Sequence, residues 1–314
     1  MTATTAIAPP RVRAGDKIAI AAPAGPIREE RFTRGVALLA ERFTLQLADD
    51  IKRSSGYLAG PDGRRIDELN GYLRDPDVRA IVMARGGYGL MRILPELDAA
   101  ALAADPKPIV GFSDGTALLA WAEKAGVRGL HAPVVTQLSD VRREDVDALA
   151  HQLVDPAPLG RLTWTLADAG APGDGAVEGR LVPGNLCMFS HLLGTPWQVD
   201  PDGALFVIEE IGEKPYAIDR YLTHLHLAGG LRGARAIVVG DFTRCTDPPR
   251  PADATDDPGP AIAVIDERLR AFGLPGLMGA PVGHGARNAP LPWGARARVD
   301  LDASSIEILD GAVA

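Results

Sequence analysis

The sequence predicts an α/β fold in two domains: an N-terminal, mostly parallel sheet flanked by helices, then a C-terminal domain that is mixed α/β or β-rich. Three observations predict it. Strand-like and helix-like segments alternate through the first half, the rhythm of β-α-β units whose sheet is covered on both faces. Between about Val154 and Gly179 that rhythm degrades into the turn-dense runs Asp155-Pro-Ala-Pro-Leu-Gly and Ala169-Gly-Ala-Pro-Gly-Asp-Gly-Ala. Strand-like apolar runs then resume. The expected division is a domain over 1–153, a linker over 154–178 and a second domain over 179–314, and 314 residues suffice for two cores of this size.

Each element has a local reason. Lys17-Ile-Ala-Ile-Ala-Ala-Pro is a short apolar strand stopped by a Pro/Gly turn. Glu29 to Phe43 carries Phe32, Val36, Leu38, Leu39 and Phe43 at helical spacing, and Thr44-Leu-Gln-Leu-Ala is the next strand. Asp62 to Leu73 places Ile66, Leu69 and Leu73 on one helical face. Arg79-Ala-Ile-Val-Met-Ala runs into the glycine turn Arg85-Gly-Gly-Tyr-Gly, and Leu90 to Leu97 resumes as helix. Pro108-Ile-Val-Gly is a further strand, Thr116-Ala-Leu-Leu-Ala-Trp-Ala opens a helix, and Arg128-Gly-Leu-His-Ala-Pro-Val-Val follows as strand. In the second region Ala204-Leu-Phe-Val-Ile-Glu, Ala234-Arg-Ala-Ile-Val-Val-Gly and Ala297-Arg-Val-Asp-Leu are strands. Asp219–Leu227 and Ala261–Phe272 are helices, and the proline-rich stretch from Thr246 to Pro260 is an exposed loop.

Composition excludes several functions. A net charge of −8 without a Lys/Arg run argues against nucleic acid as a partner. The two cysteines, Cys187 and Cys245, lack metal-site spacing and suit core filling, with a single disulfide as the minor alternative. No metal or organic cofactor is expected. No stretch nears the roughly 18 apolar residues that span a bilayer, and the N-terminus has no continuous apolar run of a signal peptide. A cytoplasmic protein without a membrane partner is the expectation.

The chemistry concentrates at Gly111-Phe-Ser-Asp-Gly, where a short apolar strand ends and a helix begins. That is the pattern of a nucleophile elbow, a tight turn lifting the Ser113 hydroxyl clear of a sheet. A free serine is a weak nucleophile, so a histidine base and an orienting carboxylate are expected elsewhere. His284, in the Gly- and Pro-rich run Ala280-Pro-Val-Gly-His-Gly, is held by turns yet reachable, and leads. His131, also at a strand end, is the competitor; His151, His191, His224 and His226 carry weaker signals, His191 being placed on a helix facing the core. For the acid, Glu209 and Glu210 end an apolar strand and point to opposite faces, with Asp114 and Asp241 as further candidates. An oxyanion hole would draw on the backbone N–H of Asp114 and one from the Gly86-Gly87 turn.

Taken in order, several segments resemble the LD-carboxypeptidase family of serine peptidases. They are Ile18-Ala-Ile-Ala-Ala-Pro-Ala-Gly, Arg85-Gly-Gly-Tyr-Gly, Gly111-Phe-Ser-Asp-Gly-Thr, Gly184-Asn-Leu, Ile208-Glu-Glu-Ile-Gly-Glu-Lys-Pro-Tyr and Pro281-Val-Gly-His-Gly. Phe112 and Gly115 depart mildly from the family's pattern around the serine. The resemblance implies a triad of Ser113, His284 and Glu209, with Glu210 at a neighbouring Asp position, and an oxyanion hole from Gly87 and Asp114. It implies two domains, the serine in the first and the Glu and His in the second, often within a homodimer. It implies removal of terminal D-alanine from murein tetrapeptides through an acyl-enzyme, with no cofactor. Arg85, Tyr88 and Arg287 are candidate substrate contacts. The alternatives are a microcin-immunity-type peptidase acting on adenylate conjugates, for which Trp164, Trp197 or Trp293 would stack on adenine, an α/β-hydrolase-type esterase, and a non-enzymatic binding protein with a cleft.

Overall fold

A computed structural model describes residues 6–164, 168–170, 175–246 and 259–314. They form two compact units. The first comprises Met1–Pro158, Ala289–Ala295 and Asp310–Ala314; the second comprises Leu159–Asn288 and Arg296–Leu309. No helix among the described residues is long and apolar enough to cross a membrane.

The first unit is built from β1 (Lys17–Ala21), α1 (Glu29–Ala40), β2 (Thr44–Leu47), α2 (Asp62–Arg74), β3 (Val78–Met83), α3 (Leu90–Ile93), α4 (Ala99–Ala104), β4 (Ile109–Gly111), α5 (Thr116–Lys124), β5 (Leu130–His131) and α6 (Arg143–Val154). β1 and β3 are almost wholly apolar because neighbours cover them on both faces, which is why they show no alternation. α1 turns Phe32, Gly35 and Leu39 inward. A Cβ on Gly35 would sit 1.9 Å from the Val135 carbonyl oxygen, so only glycine lets that helix approach so closely. The core under this face gathers Ile18, Ile20, Phe32, Leu39, Val82 and Val110.

The second unit holds β6 (Gly160–Thr163), β7 (Asp168–Gly170), β8 (Ala176–Asn185), α7 (Leu186–Leu192), β9 (Ala204–Ile211), α8 (Pro215–Leu227), β10 (Ala236–Thr243), α9 (Gly259–Phe272) and β11 (Pro275–Met278). β12 (Leu291–Pro292) returns to the first unit, and β13 (Arg296–Asp300) and β14 (Ser305–Ile308) complete the second. The first sheet runs β12-β5-β4-β3-β1-β2, parallel except for β12, which pairs antiparallel with β5. The second runs β6-β14-β13-β8-β9-β10-β11-β7. Its β8–β11 strands are parallel, and antiparallel strands flank them on both sides. The mixed α/β character expected of the second half is thus observed.

Several details differ from the sequence reading. The segment 154–178, expected as a linker, contributes β6, β7 and the start of β8 to the second sheet; its Pro and Gly residues punctuate short strands. The expected second domain over 179–314 loses 289–295 and 310–314 to the first unit. The helix expected over Leu90–Leu97 stops at Ile93 and tightens into a 3₁₀ turn at Leu94–Glu96, where Pro95 has no N–H to donate. The proline-rich loop expected after Thr246 falls largely outside the described residues.

Candidate functional site

In the first unit the buried strand β4 delivers the chain to Phe112 in an extended conformation, and Ser113 then takes φ 61°. This left-handed backbone at a residue with a side chain is the sharp turn that an elbow requires. A 3₁₀ turn over Ser113–Gly115 leads straight into α5. The turn is closed by Gly115 N–H donating to Phe112 O at 2.9 Å. Gly115 packs against the Met83 thioether: a Cβ there would lie 2.7 Å from Met83 Sδ, so that side chain would have to shift.

The glycine turn after β3 lies against the serine. A Cβ on Gly86 would come within 2.9 Å of Ser113 Cβ and 3.1 Å of its Oγ. Gly86 O accepts from Gly25 N–H at 3.0 Å, and Gly87 takes φ 115°, a conformation open to glycine. The buried Asp114 carboxylate accepts from Leu90 N–H at 3.0 Å and so ties the elbow to the start of α3. Burial pushes its pKa up to about 6, opposed by the Leu90 hydrogen bond and the charge of Arg65.

In the second unit His284 and Glu209 meet. His284 Nδ1 donates to Glu209 Oε2 at 2.6 Å, across 75 residues of chain. Glu209, near the carboxyl end of β9, is fully buried, and its Oε1 has no hydrogen-bond partner among the described residues. Burial opposes the charged imidazolium, but the charge and hydrogen bond of Glu209 outweigh it, helped by Glu210 and Asp241, and the His284 pKa is raised. The loop bearing His284 is seated on β10. Asp241 N–H donates to Val282 O at 2.8 Å, and a Cβ on Gly285 would fall 1.9 Å from Asp241 Oδ2. Gly283 N–H donates to the buried Asn288 Oδ1 at 3.3 Å.

Glu210 points to the other face of β9, as strand alternation demands. Its carboxylate accepts from Asn185 Nδ2 at 2.8 Å and from the N–H groups of Cys187 and Ile211, each at 2.9 Å. Burial and the neighbouring Glu209 charge push its pKa up to about 7. Glu210 therefore locks the end of β9 to the start of α7. Asp241, a candidate acid in the sequence, accepts from Thr243 Oγ1 at 2.9 Å and supports the histidine loop. The supporting roles of Glu210, Asp241 and Asn288 had no sequence signal beyond closeness to the Glu-Glu and Gly-His-Gly runs.

The remaining histidines are placed elsewhere. His131 is fully buried in β5, edge-on to Phe112 at 5.2 Å between ring centroids. His224 Nδ1 contacts Ser190 Oγ at 3.0 Å, and His226 stacks on Phe272 at 4.1 Å. His191, expected to face the core, is exposed, with its Nδ1 on Cys187 O at 2.7 Å. Both cysteines are free thiols, Cys245 buried and Cys187 half-buried. Of the tryptophans, Trp293 is fully buried and Trp164 Nε1 donates to Met278 O at 2.7 Å, while Trp197 is half-buried.

The candidate substrate contacts divide. Arg85 is half-buried at the glycine turn and donates through Nη1 to Pro26 O. Burial lowers its pKa, and Arg28 and Arg31 add positive charge around it. No carboxylate pairs with Arg85 among the described residues. Tyr88 is exposed beside the same turn. Arg287 sits half-buried on the His284 loop and already has a partner. Ser113 belongs to the first unit, and the Glu209–His284 pair belongs to the second.

Comparison with known proteins finds two family models in this chain. Residues 18–132 match the LD-carboxypeptidase N-terminal domain and residues 178–299 the LD-carboxypeptidase C-terminal domain. A Bacillus subtilis protein named probable murein peptide carboxypeptidase is 32% identical over 93% of this chain and 91% of its own length. The murein tetrapeptide carboxypeptidase of Pseudomonas aeruginosa is 31% identical over 88% of this chain and 91% of its own. Among solved structures, the microcin C7 self-immunity protein MccF, in complex with aspartyl sulfamoyl adenosine, superposes with a TM-score of 0.84. That match has 24% identity and covers 98% of this chain and 100% of the other, a likeness of fold.

Proposed function

The chain belongs to the LD-carboxypeptidase family of serine-type hydrolases, and from that premise we propose that it releases the terminal D-alanine of murein tetrapeptides by acyl transfer through Ser113. The observation that carries the reading is the 2.6 Å contact between His284 Nδ1 and the buried Glu209 carboxylate. A carboxylate on Nδ1 fixes the tautomer that leaves Nε2 free to accept a proton, and it stabilises the imidazolium that forms. In the proposed cycle His284 Nε2 takes the Ser113 hydroxyl proton as Oγ attacks the peptide carbonyl. The backbone N–H groups of Gly87 and Asp114 receive the oxyanion, each such donor contributing about 3–4 kcal/mol. His284 then protonates the amine of the departing D-alanine, and water opens the acyl-enzyme by the same steps reversed.

Arg85 is the proposed receptor for the substrate's terminal carboxylate. It is a half-buried cation without a carboxylate counter-ion among the described residues, beside the glycine turn that lies against Ser113. Action on recycled murein in the cytoplasm, by a homodimer, completes the reading.

Incubating the purified protein with a murein tetrapeptide and following free D-alanine tests it, with Ser113→Ala and a C-terminally amidated peptide alongside. Release by the wild type, loss by about three orders of magnitude or more in Ser113→Ala, and poor turnover of the amide are expected. Unchanged release in Ser113→Ala would refute the nucleophile. Wild-type inactivity on this peptide with cleavage of an aminoacyl-adenylate analogue would transfer the chain to the immunity-type reading, which the buried Trp293 and the hydrogen-bonded Trp164 do not favour.

A further inference from the structure

We propose that Tyr57 and Tyr88 form a rigid aromatic shelf that receives the acyl-side stem of the peptide substrate, a binding role that rests on the assignment of Ser113 as nucleophile. The two rings meet edge to face, with centroids 5.7 Å apart and planes inclined by 62°. Both stay in solvent, Tyr57 at 66% and Tyr88 at 51% exposure. A tyrosine carries large apolar area with only two rotatable side-chain bonds, so a fixed exposed ring is a low-entropy contact surface.

The shelf is fixed from below. Ser55 and Leu58 exchange both backbone hydrogen bonds, at 2.8 and 3.1 Å, and Gly56 takes φ 60°, which puts Tyr57 at the tip of a closed turn. Ala59 N–H donates to Ala24 O at 2.8 Å, and Leu58 Cδ2 packs so closely on Gly89 that a Cβ there would lie 2.6 Å away. The fully buried Arg65 donates to Pro23 O and to Gly89 O, the latter at 2.9 Å. Together with the Gly25–Gly86 bond, these contacts fasten residues 23–25, 57–59 and 86–89 into one block. That block touches the nucleophile, because a Cβ on Gly86 would be 2.9 Å from Ser113 Cβ. Tyr88 is two residues beyond Gly86, so the shelf has a set position relative to Ser113.

Size and charge choose the part of the substrate. A carboxypeptidase that releases one alanine needs a carboxylate donor and room for a methyl group on the leaving side. Two phenol rings exceed that need, whereas the stem before the scissile bond offers aliphatic segments to lie on them. Arg92, four residues beyond Tyr88, pairs at 2.7 Å with an Asp62 that is shared with the buried Arg65, so two guanidiniums on one carboxylate leave a positive charge for the free carboxylates of such a stem. The ligand class is therefore an anionic peptide stem with aliphatic side chains.

The test compares kcat/KM for D-alanine release from a murein tetrapeptide and from the dipeptide diaminopimelyl-D-alanine. Tyr57→Ala should lower the tetrapeptide value about 10- to 100-fold, mainly through KM, and the dipeptide value far less, as loss of a contact to the missing stem requires. Tyr57→Phe, which keeps the ring, should restore the preference, and thermal melting checks that both variants are folded. Equal losses on the two peptides, or no loss on the tetrapeptide, would overturn the shelf. Calorimetric binding of the tetrapeptide to Ser113→Ala protein, with and without Tyr57→Ala, reads the shelf without turnover. A wild type that releases no D-alanine defeats the proposed substrate, whereas release by the wild type with equal calorimetric affinities for the two Ser113→Ala proteins defeats the shelf.

Discussion

Ser113 holds a backbone conformation that costs a residue with a side chain on the order of 1–2 kcal/mol, and it does so at a turn packed through Gly115 against the Met83 thioether. Such strain is retained where surrounding contacts over-determine it, here beside the glycines of the neighbouring turn. His284 sits under the opposite kind of constraint, an acid–base group whose partner decides when it works. A general base must be neutral, and burial opposes but the Glu209 charge and hydrogen bond raise the His284 pKa above the ordinary 6.5. The rising limb of kcat/KM against pH should therefore lie above 6.5. Glu209→Gln should move that limb to lower pH and cost on the order of 10³-fold in kcat/KM, with Glu210→Gln costing less; a pH–rate series on the three proteins checks this. The reverse ranking would make Glu210 the orienting acid. Ser113 is legible in the sequence because its whole signal is local, five residues at a strand–helix junction. The Glu209–His284 contact is not, because it joins residues 75 apart and only strand order brings them together. Tyr57 was invisible for a simpler reason: a Ser-Gly-Tyr run looks like any solvated turn until its neighbours are known.

Elements are tied to one another by buried acids. Asp114 links the elbow to α3, and Glu210 links β9 to α7. Folding raises the Asp114 pKa from 3.8 to about 6, so the fold favours its protonated form. The associated stability is fully present below 3.8 and is lost as pH rises through about 6. Asp114→Asn, neutral at every pH and still able to accept from Leu90 N–H, should melt like the wild type near pH 4. It should gain on the wild type towards pH 7, by on the order of 3 kcal/mol at most. Melting curves across that range check the sign, and a constant difference would show that the carboxylate is not titrating there. Most long elements were legible because their cause is in the chain: alternating apolar faces for α1 and α2, uninterrupted apolar runs for β3, β9 and β10. Those missed are short and owe their existence to a neighbour. β6 reads as turn sequence until β14 pairs with it, and β12 is two residues with no periodicity at all.

The largest departure from the sequence reading is that the first unit is not one stretch of chain. Its sheet takes β12 from residues far downstream, and its core takes Ala312 and Val313. Asp310 pairs with Arg128 at 3.1 Å, and Ala314 N–H donates to Pro9 O at 2.8 Å while its carbonyl accepts from Arg11 N–H at 2.9 Å. Removing residues 310–314 should therefore destabilise the N-terminal unit by about 2–4 kcal/mol, seen as a lower urea midpoint; an unchanged midpoint would show these contacts to be idle. Composition and turn density could not reveal this, because they mark where a pattern breaks and not where a chain goes next. The chain passes between the two units four times, at 158/159, 288/289, 295/296 and 309/310. During synthesis, then, β5 lacks its outer neighbour β12, and the core lacks Ala312 and Val313, until residues 289–314 have been made. An unpaired edge of this kind invites pairing with another chain. Nascent copies on neighbouring ribosomes are the ones best placed to find it, and a gene cut at the apparent domain boundary would leave that edge open for good.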